Sequence, residues 1–348
     1  HNPFQDNGIK FFGPDGYKLP DEVEDQIERW VLGDELDRHR PTADEVGKAF
    51  RVDDALGRYI VHVKHTFPRE FDLNRMRIVL DCANGAGYKA APAALSELGA
   101  EVIPIGIAPN GVNINDGCGA TAPKLLQSRV RDRRADLGIA LVGDADRVML
   151  VDERGRVVDG DGVLAICAQD LLERGLLRNK AVVGTVMSNM GLEVTLRKMG
   201  VALVRTQVGD RYVAEALRAK GLQLGGEPSG HLIFSDHATT GDGLLSALQV
   251  LAIMVRTGKR LSELAAGLIQ MPQIVKNVPV KAKPDIESLA KTSAVIAEVE
   301  RALGDLGRVV VRYSGTEPLA RIMVEGPGEA AVIGYADDIA DAMTKELG

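Results

Sequence analysis

The sequence predicts an α/β protein: consecutive doubly wound α/β domains followed by a small α+β C-terminal domain, with the N-terminal part of the first domain missing. Three observations predict it. Short apolar runs alternate twice with helical stretches in the order strand, helix, strand, which is the pattern of βαβ units. A Pro-containing stretch from Met271 to Pro284 breaks that rhythm, and the residues beyond it read helix, strand, strand, helix. The chain also opens at His1 rather than Met, and a turn passes straight into an apolar strand at Ile9 to Phe12, as though a domain were entered in its middle. A fragment of a longer chain is the expectation.

Residues 1–53 are then the remnant of the first α/β domain, and Ala55 to Lys64 is a helix leading into the second, residues 54–154. In that domain the apolar run Arg77 to Asp81 is a strand ending in Ala83-Asn84-Gly85-Ala86-Gly87. An Ala-rich helix runs to about Leu98, and Glu101 to Ile105 is again a strand. Leu137 to Val142 and Val148 to Asp152 are two strands around Gly143-Asp144-Ala145-Asp146-Arg147. The third domain, residues 155–271, repeats the order with a strand at Ala181 to Thr185, a helix after the capping-type Ser188 and a strand at Val201 to Thr206. Strands near Leu222 and at Leu232 to Phe234 flank another Gly-rich loop, and helices at Gly241 to Thr257 and Leu261 to Ile269 close the unit. Residues 272–348 form the α+β domain, with a helix near Ile286 to Leu303, strands at Arg308 to Arg312 and Ala320 to Glu325, and a last helix from Ala330.

At 348 residues the chain exceeds one ordinary core, so several domains are expected. Its composition, 45% hydrophobic and 26% charged, is that of a soluble globular protein, and no apolar run is long enough to cross a bilayer. The net charge of −7 argues against nucleic acid as a partner, so an anionic ligand has to be held by local basic groups. Cys82, Cys118 and Cys167 lie far apart with no paired spacing and read as reduced thiols of a cytoplasmic protein.

Local basic groups appear in Arg312-Tyr313-Ser314-Gly315-Thr316-Glu317-Pro318-Leu319-Ala320-Arg321. Two guanidinium groups supply forked donors for phosphate oxygens, and a turn of small residues lets backbone N–H groups approach an anion. A hairpin turn with two surface arginines is the plainer reading. Asp144 and Asp146, two apart in a tight turn, can face one hard cation such as Mg²⁺ beside a phosphate, and on spacing alone a solvated turn accounts for them equally well. Gly226-Glu227-Pro228-Ser229-Gly230-His231 offers a carboxylate and a hydroxyl from a Gly-flanked loop, which suits a polyhydroxylated ligand or an ordinary loop.

Taken in order, His1-Asn2-Pro3 and these three loops resemble the four signature loops of the α-D-phosphohexomutases. Asn7 to Phe12, Asp81 to Ala86, Asn113 to Asn115, Cys118 to Thr121 and Val208 to Val213 are similar to the bacterial phosphoglucosamine mutase branch of that superfamily. The resemblance implies a cytoplasmic, Mg²⁺-dependent isomerase with one active-site loop per domain. It would interconvert glucosamine 6-phosphate and glucosamine 1-phosphate through a phosphoserine enzyme and a bisphosphate intermediate, toward UDP-N-acetylglucosamine. The serine would directly precede His1, so the chain alone is expected to be inactive. His1, Lys10 and Arg147 would be catalytic, with Lys10 assisting proton transfer at the sugar hydroxyl. Asp144 and Asp146 would hold the metal, and Asp210, Arg211, Glu227, Ser229 and His231 would bind the sugar. Arg312, Ser314, Gly315, Thr316 and Arg321 would clamp the phosphate that is not transferred.

A small hexosamine phosphate is the implied partner, with a second copy of the chain or the segment upstream of His1 as the macromolecular ones. Two residues depart from the family's pattern: Val142 stands where its metal loop begins with a third Asp, and Pro228 where this branch has Gln. They leave phosphomannomutase or phosphoglucomutase activity, and a non-catalytic sugar-phosphate-binding protein, as alternatives. A phosphatase using the Asp144 and Asp146 pair ranks last.

Overall fold

The computed structural model describes residues 2–33, 36–314 and 317–347. In chain order its elements are α1 (Asp21–Leu32), α2 (Ala55–His65), β1 (Arg77–Asp81), α3 (Ala90–Glu97), β2 (Glu101–Ile105), α4 (Lys124–Arg133), β3 (Leu137–Leu141), β4 (Val148–Asp152) and β5 (Val157–Val158). Next along the chain are α5 (Gly160–Glu173), β6 (Ala181–Thr185), α6 (Met190–Lys198), β7 (Ala202–Thr206), α7 (Asp210–Lys220), β8 (Leu224–Gly226), β9 (Leu232–Phe234), α8 (Gly243–Thr257) and α9 (Leu261–Leu264). The chain ends with β10 (Gln273–Pro279), α10 (Ala290–Leu303), β11 (Arg308–Tyr313), β12 (Leu319–Glu325) and α11 (Glu329–Leu347).

The strands form three sheets, in the orders β2-β1-β3-β4-β5, β7-β6-β8-β9 and β10-β12-β11. In each of the first two, one inner strand, β1 or β6, pairs parallel with both neighbours while the hairpin strands at one edge run antiparallel. The third is wholly antiparallel. The central strands β1, β3 and β6 are apolar and buried nearly throughout, because helices cover both faces. One continuous apolar core joins the first two sheets and includes Leu80, Leu141 and Val148 of one, Val182 and Leu224 of the other, and Val163, Leu164, Leu192 and Leu244 from helices. The C-terminal unit buries a core of its own around Val278, Ile322, Val324, Val332 and Ile339.

Four local readings of the sequence are corrected. Asn189, not Ser188, caps α6, its side chain accepting from the Gly191 N–H, while the Ser188 hydroxyl accepts the Thr185 N–H instead. Ile9 to Phe12 is not a strand: only Phe12 makes an isolated antiparallel bridge, to Lys18, and Ile9 is 83% exposed. The stretch after Met271 is not merely a break, since it contains β10, which gains its order from pairing with β12. The amphipathic α1 lies inside a segment read only as a remnant. No described helix is long and apolar enough to cross a membrane.

Candidate active site

A cleft of about 780 Å³ lies where the N-terminal segment meets the loops after β1, β2, β3, β7 and β8. Lys10, Lys18, Asn115, Asp144, Asp146, Arg147, Asp210 and Glu227 line it. The loops after parallel strands converge at one end of a sheet, which is where α/β proteins place ligands.

The turn after β3 is shaped by backbone contacts. The Val142 carbonyl accepts from the Ala145 N–H at 2.9 Å, and Ala145 is left-handed at φ 62. The Gly143 carbonyl accepts from the Ala86 N–H at 2.7 Å, so close that a Cβ on Gly85 would lie 2.1 Å from that oxygen. Asn115 joins the two sides of the cleft, its Oδ1 accepting the Gly143 N–H at 2.9 Å and its Nδ2 donating to the Asn2 carbonyl at 3.0 Å. The stretch around Asn2 is thereby held beside the acidic turn.

Within the turn, Lys10 Nζ donates to Asp144 Oδ2 at 3.1 Å and to Asp146 Oδ2 at 3.0 Å. Burial alone would lower the Lys10 pKa, but the hydrogen bonds and charges of Asp146 and Asp144 outweigh it and the pKa is raised. Burial likewise opposes ionisation of Asp146, yet His231, Asp144 and Lys10 together hold its carboxyl far below the usual range. His231 is 1% exposed, with Nδ1 3.4 Å from Asp146 Oδ2 and Nε2 accepting the Gly241 N–H at 3.2 Å. The ring thus faces Asp146 through Nδ1 and the Gly241 N–H through Nε2. Two buried atoms in the turn, Asp146 Oδ1 and Arg147 Nε, have no hydrogen-bond partner and lie 3.8 Å apart.

The loop from Gly226 to His231 is fastened to this turn by main chain. Arg147 and His231 form an antiparallel bridge, and the Val148 N–H donates to the Gly230 carbonyl at 3.0 Å. Gly230 has φ +89, and a Cβ there would sit 2.1 Å from the Val148 oxygen, so this join needs glycine. Glu227 is buried; Oε1 accepts the Gly209 N–H at 2.9 Å and Oε2 the Ser229 hydroxyl at 3.2 Å. Each oxygen keeps a further lone pair for a ligand hydroxyl. Asp210 opens α7 and accepts from Lys18 Nζ at 2.7 Å. Burial tends to raise its pKa, but Lys18 and His231 reverse this and lower it.

Other expected residues do not reach the cleft. Arg211 pairs with Asp21 and, at 2.8 Å, with Glu215, and lines a neighbouring hollow of about 460 Å³. Arg312, Ser314 and Arg321 are not among the residues lining the cleft; Arg321 pairs with Glu317 at 2.9 Å, and the Ser314 carbonyl accepts from Lys283 at 2.6 Å. His1, Gly315 and Thr316 lie outside the described residues. Lys18 and the stapling role of Asn115 were missed from sequence. Asn115 stood in a segment already singled out, whereas a single Lys after a turn carried no signal for Lys18.

A site of this kind, with paired carboxylates, converging cations and a carboxylate poised for hydroxyls, defines a class that handles phosphorylated sugars. The chain belongs to the phosphoglucomutase/phosphomannomutase family. It matches the family's alpha/beta/alpha domain I over residues 1–37, domain II over 57–155, domain III over 159–271 and the C-terminal domain over 276–342. Over all of its 348 residues it is 58% identical to the phosphoglucosamine mutase of Geobacter metallireducens, covering 77% of that protein. It is 57% identical to that of Syntrophotalea carbinolica, covering 76%. The crystal structure of Aspergillus fumigatus N-acetylphosphoglucosamine mutase, in complex with GlcNAc-6P and magnesium, superposes with a TM-score of 0.76 at 19% identity, covering all of this chain and 88% of that one. At that identity the likeness shows the fold alone.

Proposed function

We propose that the intact protein is an isomerase that interconverts glucosamine 6-phosphate and glucosamine 1-phosphate by transferring a phosphoryl group through a phosphoserine enzyme and a bisphosphate intermediate. The observation that carries this reading is the Arg147 and His231 bridge, which sets the acidic turn and the hydroxyl-binding loop side by side on one cleft. Phosphoryl transfer needs positioning and charge stabilisation more than covalent help. Arg147 presents an unpartnered Nε to a transferring phosphate, and Glu227, held by Gly209 and Ser229, accepts from sugar hydroxyls. Lys10 is placed to hold or pass a proton at a sugar hydroxyl. Asp210 and His231 support the site from beneath, and Arg312, Ser314 and Arg321 are proposed to clamp the distal phosphate.

Among the described residues no group of three or more His, Cys, Asp or Glu is arranged around one metal. The pair still fits magnesium, which is usually held by one or two carboxylates with phosphate and water completing its shell, and Asp146 keeps a buried oxygen without a partner. Asp144 and Asp146 would hold the ion, which would neutralise charge on the moving phosphoryl group when bound. The four-part division at residues 53, 154 and 271 is proposed alongside this function.

Steady-state turnover of glucosamine, mannose and glucose 6-phosphates by the intact protein tests the proposal. Preference for the amino sugar is expected. A faster rate with mannose or glucose phosphate would move the chain to the rival activity that Pro228 raises, and no turnover of any would sink the isomerase reading.

A further inference from the structure

The Lys10 ammonium sits on Asp144 Oδ2 and Asp146 Oδ2, one oxygen of each carboxylate, and the two converge on a single point where a cation bridging the pair would lie. A magnesium ion binds oxygen at about 2.1 Å, so an ion on those atoms and an ammonium at hydrogen-bond distance from them would face each other across a short gap and repel. An ion that bridges those two oxygens therefore excludes the ammonium from them. The side chain at the start of the turn adds nothing to attract the larger charge: Val142 is 1% exposed and packs with Val79, Ala140 and Val151. Two carboxylates and one ammonium leave a single negative charge, and Arg147, 3.8 Å from Asp146, offsets even that.

We propose that Lys10 is the resident counter-ion of the carboxylate pair, and that a divalent cation enters only by displacing it, so that cation binding releases the Lys10 amine into the cleft. The inference rests on the metal-assisted reading above and adds to it an internal competitor. Val142 sharpens the competition, because with two acidic groups rather than three the exchange of a monovalent for a divalent cation gains less. Release of the amine where the sugar hydroxyl must lie would couple cation loading to the availability of the group proposed to handle a proton there.

Free Mn²⁺ measured by electron paramagnetic resonance, titrated with the whole chain in the absence of any phosphate, tests the inference without an activity readout. Removing one unit charge beside a screened site should tighten Mn²⁺ binding by about tenfold in Lys10→Met. Val142→Asp should tighten it as well, and Asp144→Asn should weaken it. A Lys10→Met chain that binds Mn²⁺ no better than wild type would overturn the proposal while leaving the metal pair standing. Equal binding by wild type and Asp144→Asn would place the ion elsewhere and overturn both. Should Lys10→Met fold poorly, the unaltered chain still decides: Mg²⁺ should raise the rate at which acetic anhydride acetylates Lys10, read by mass spectrometry, and an unchanged or slower rate overturns the displacement.

Discussion

Where the third unit meets the second, main-chain bonds join the side-chain ones over a shared core; where it meets the C-terminal unit, side chains carry the contact. On the first side the Val148 N–H reaches Gly230 at 3.0 Å and the Gly243 N–H reaches Ala145 at 2.9 Å, both over one shared apolar core. On the second, the buried Glu325 accepts from the Met190 N–H at 2.8 Å and from Arg308 Nε at 2.7 Å, while Arg308 donates to the Ser188 carbonyl at 2.6 Å. Asn189 exchanges two hydrogen bonds with Met271, the last residue of the third unit, and the cores on the two sides of this seat are separate. Main-chain contacts at glycine hold two loops so close that a side chain at Gly230 would not fit between them. A seat of side chains can tilt about its few anchoring atoms. The cleft floor is therefore built as one body, and the unit with the expected phosphate clamp is mounted separately on residues 188–190.

The largest way to break this contrast is to pry the floor apart. Gly230→Ala must move a Cβ away from the Val148 oxygen and hold a non-glycine residue at φ +89. We expect a loss of about 3 kcal/mol in unfolding free energy, combining left-handed strain with a disrupted join. Amide exchange should rise in 144–148 and 227–231. A melting temperature equal to wild type, with exchange unchanged in both loops, would mean the floor is not held by this contact.

The floor and the mount were unequally legible in the sequence. Strands β1, β2 and β6 were read to the residue because short apolar runs ended at turn-forming residues, and Lys10, Asp144, Asp146, Glu227 and His231 stood in compact loops. β10 escaped because Pro272 and Pro279 bracket it, polar residues interrupt it, and its pairing with β12 is made from far along the chain. Ile9 to Phe12 misled in the opposite sense, as apolar residues suggest a strand without saying whether a partner exists. Lys18 lies 192 residues from Asp210 in sequence, so its role comes only from tertiary structure. The Glu325 and Arg308 seat was illegible for the same reason: a charged pair at the ends of two strands reads as surface until the neighbouring unit covers it.

A smaller effect, confined to the mount, is expected from Glu325→Gln. The amide keeps one acceptor for two donors and leaves the Arg308 charge unpaired, a cost of about 2 kcal/mol felt where the units meet. Hydrogen exchange should increase at 188–190 and 308–325 and stay at wild-type rates in 144–148 and 227–231. Equal increases in both regions would erase the distinction between floor and mount.

The smallest effect sharpens the contrast through pH. Asp161, in the first turn of α5, is 1% exposed; its Oδ2 accepts the Asn189 N–H at 2.6 Å and its Oδ1 has no partner. Burial pushes its carboxyl from 3.8 up to about 7, aided by Asp159 on the same turn, while the Asn189 N–H, Ser188 and Arg205 pull the other way. Because the folded pKa lies above the unfolded one, the fold favours the protonated acid. Its contribution to stability is complete below about pH 4, diminishes as pH climbs, and is lost above about pH 7. Asparagine imitates the protonated form at every pH and keeps a carbonyl for the Asn189 N–H. Asp161→Asn should therefore melt with the wild type near pH 4 and progressively above it as pH approaches 7, with the difference level beyond that. Since Asp161 supports Asn189, whose neighbours bear Arg308 and Glu325, the gain should also appear as slower exchange at 188–190. A melting difference that stays flat from acid to neutral pH would show that this carboxyl is not held protonated beneath the seat.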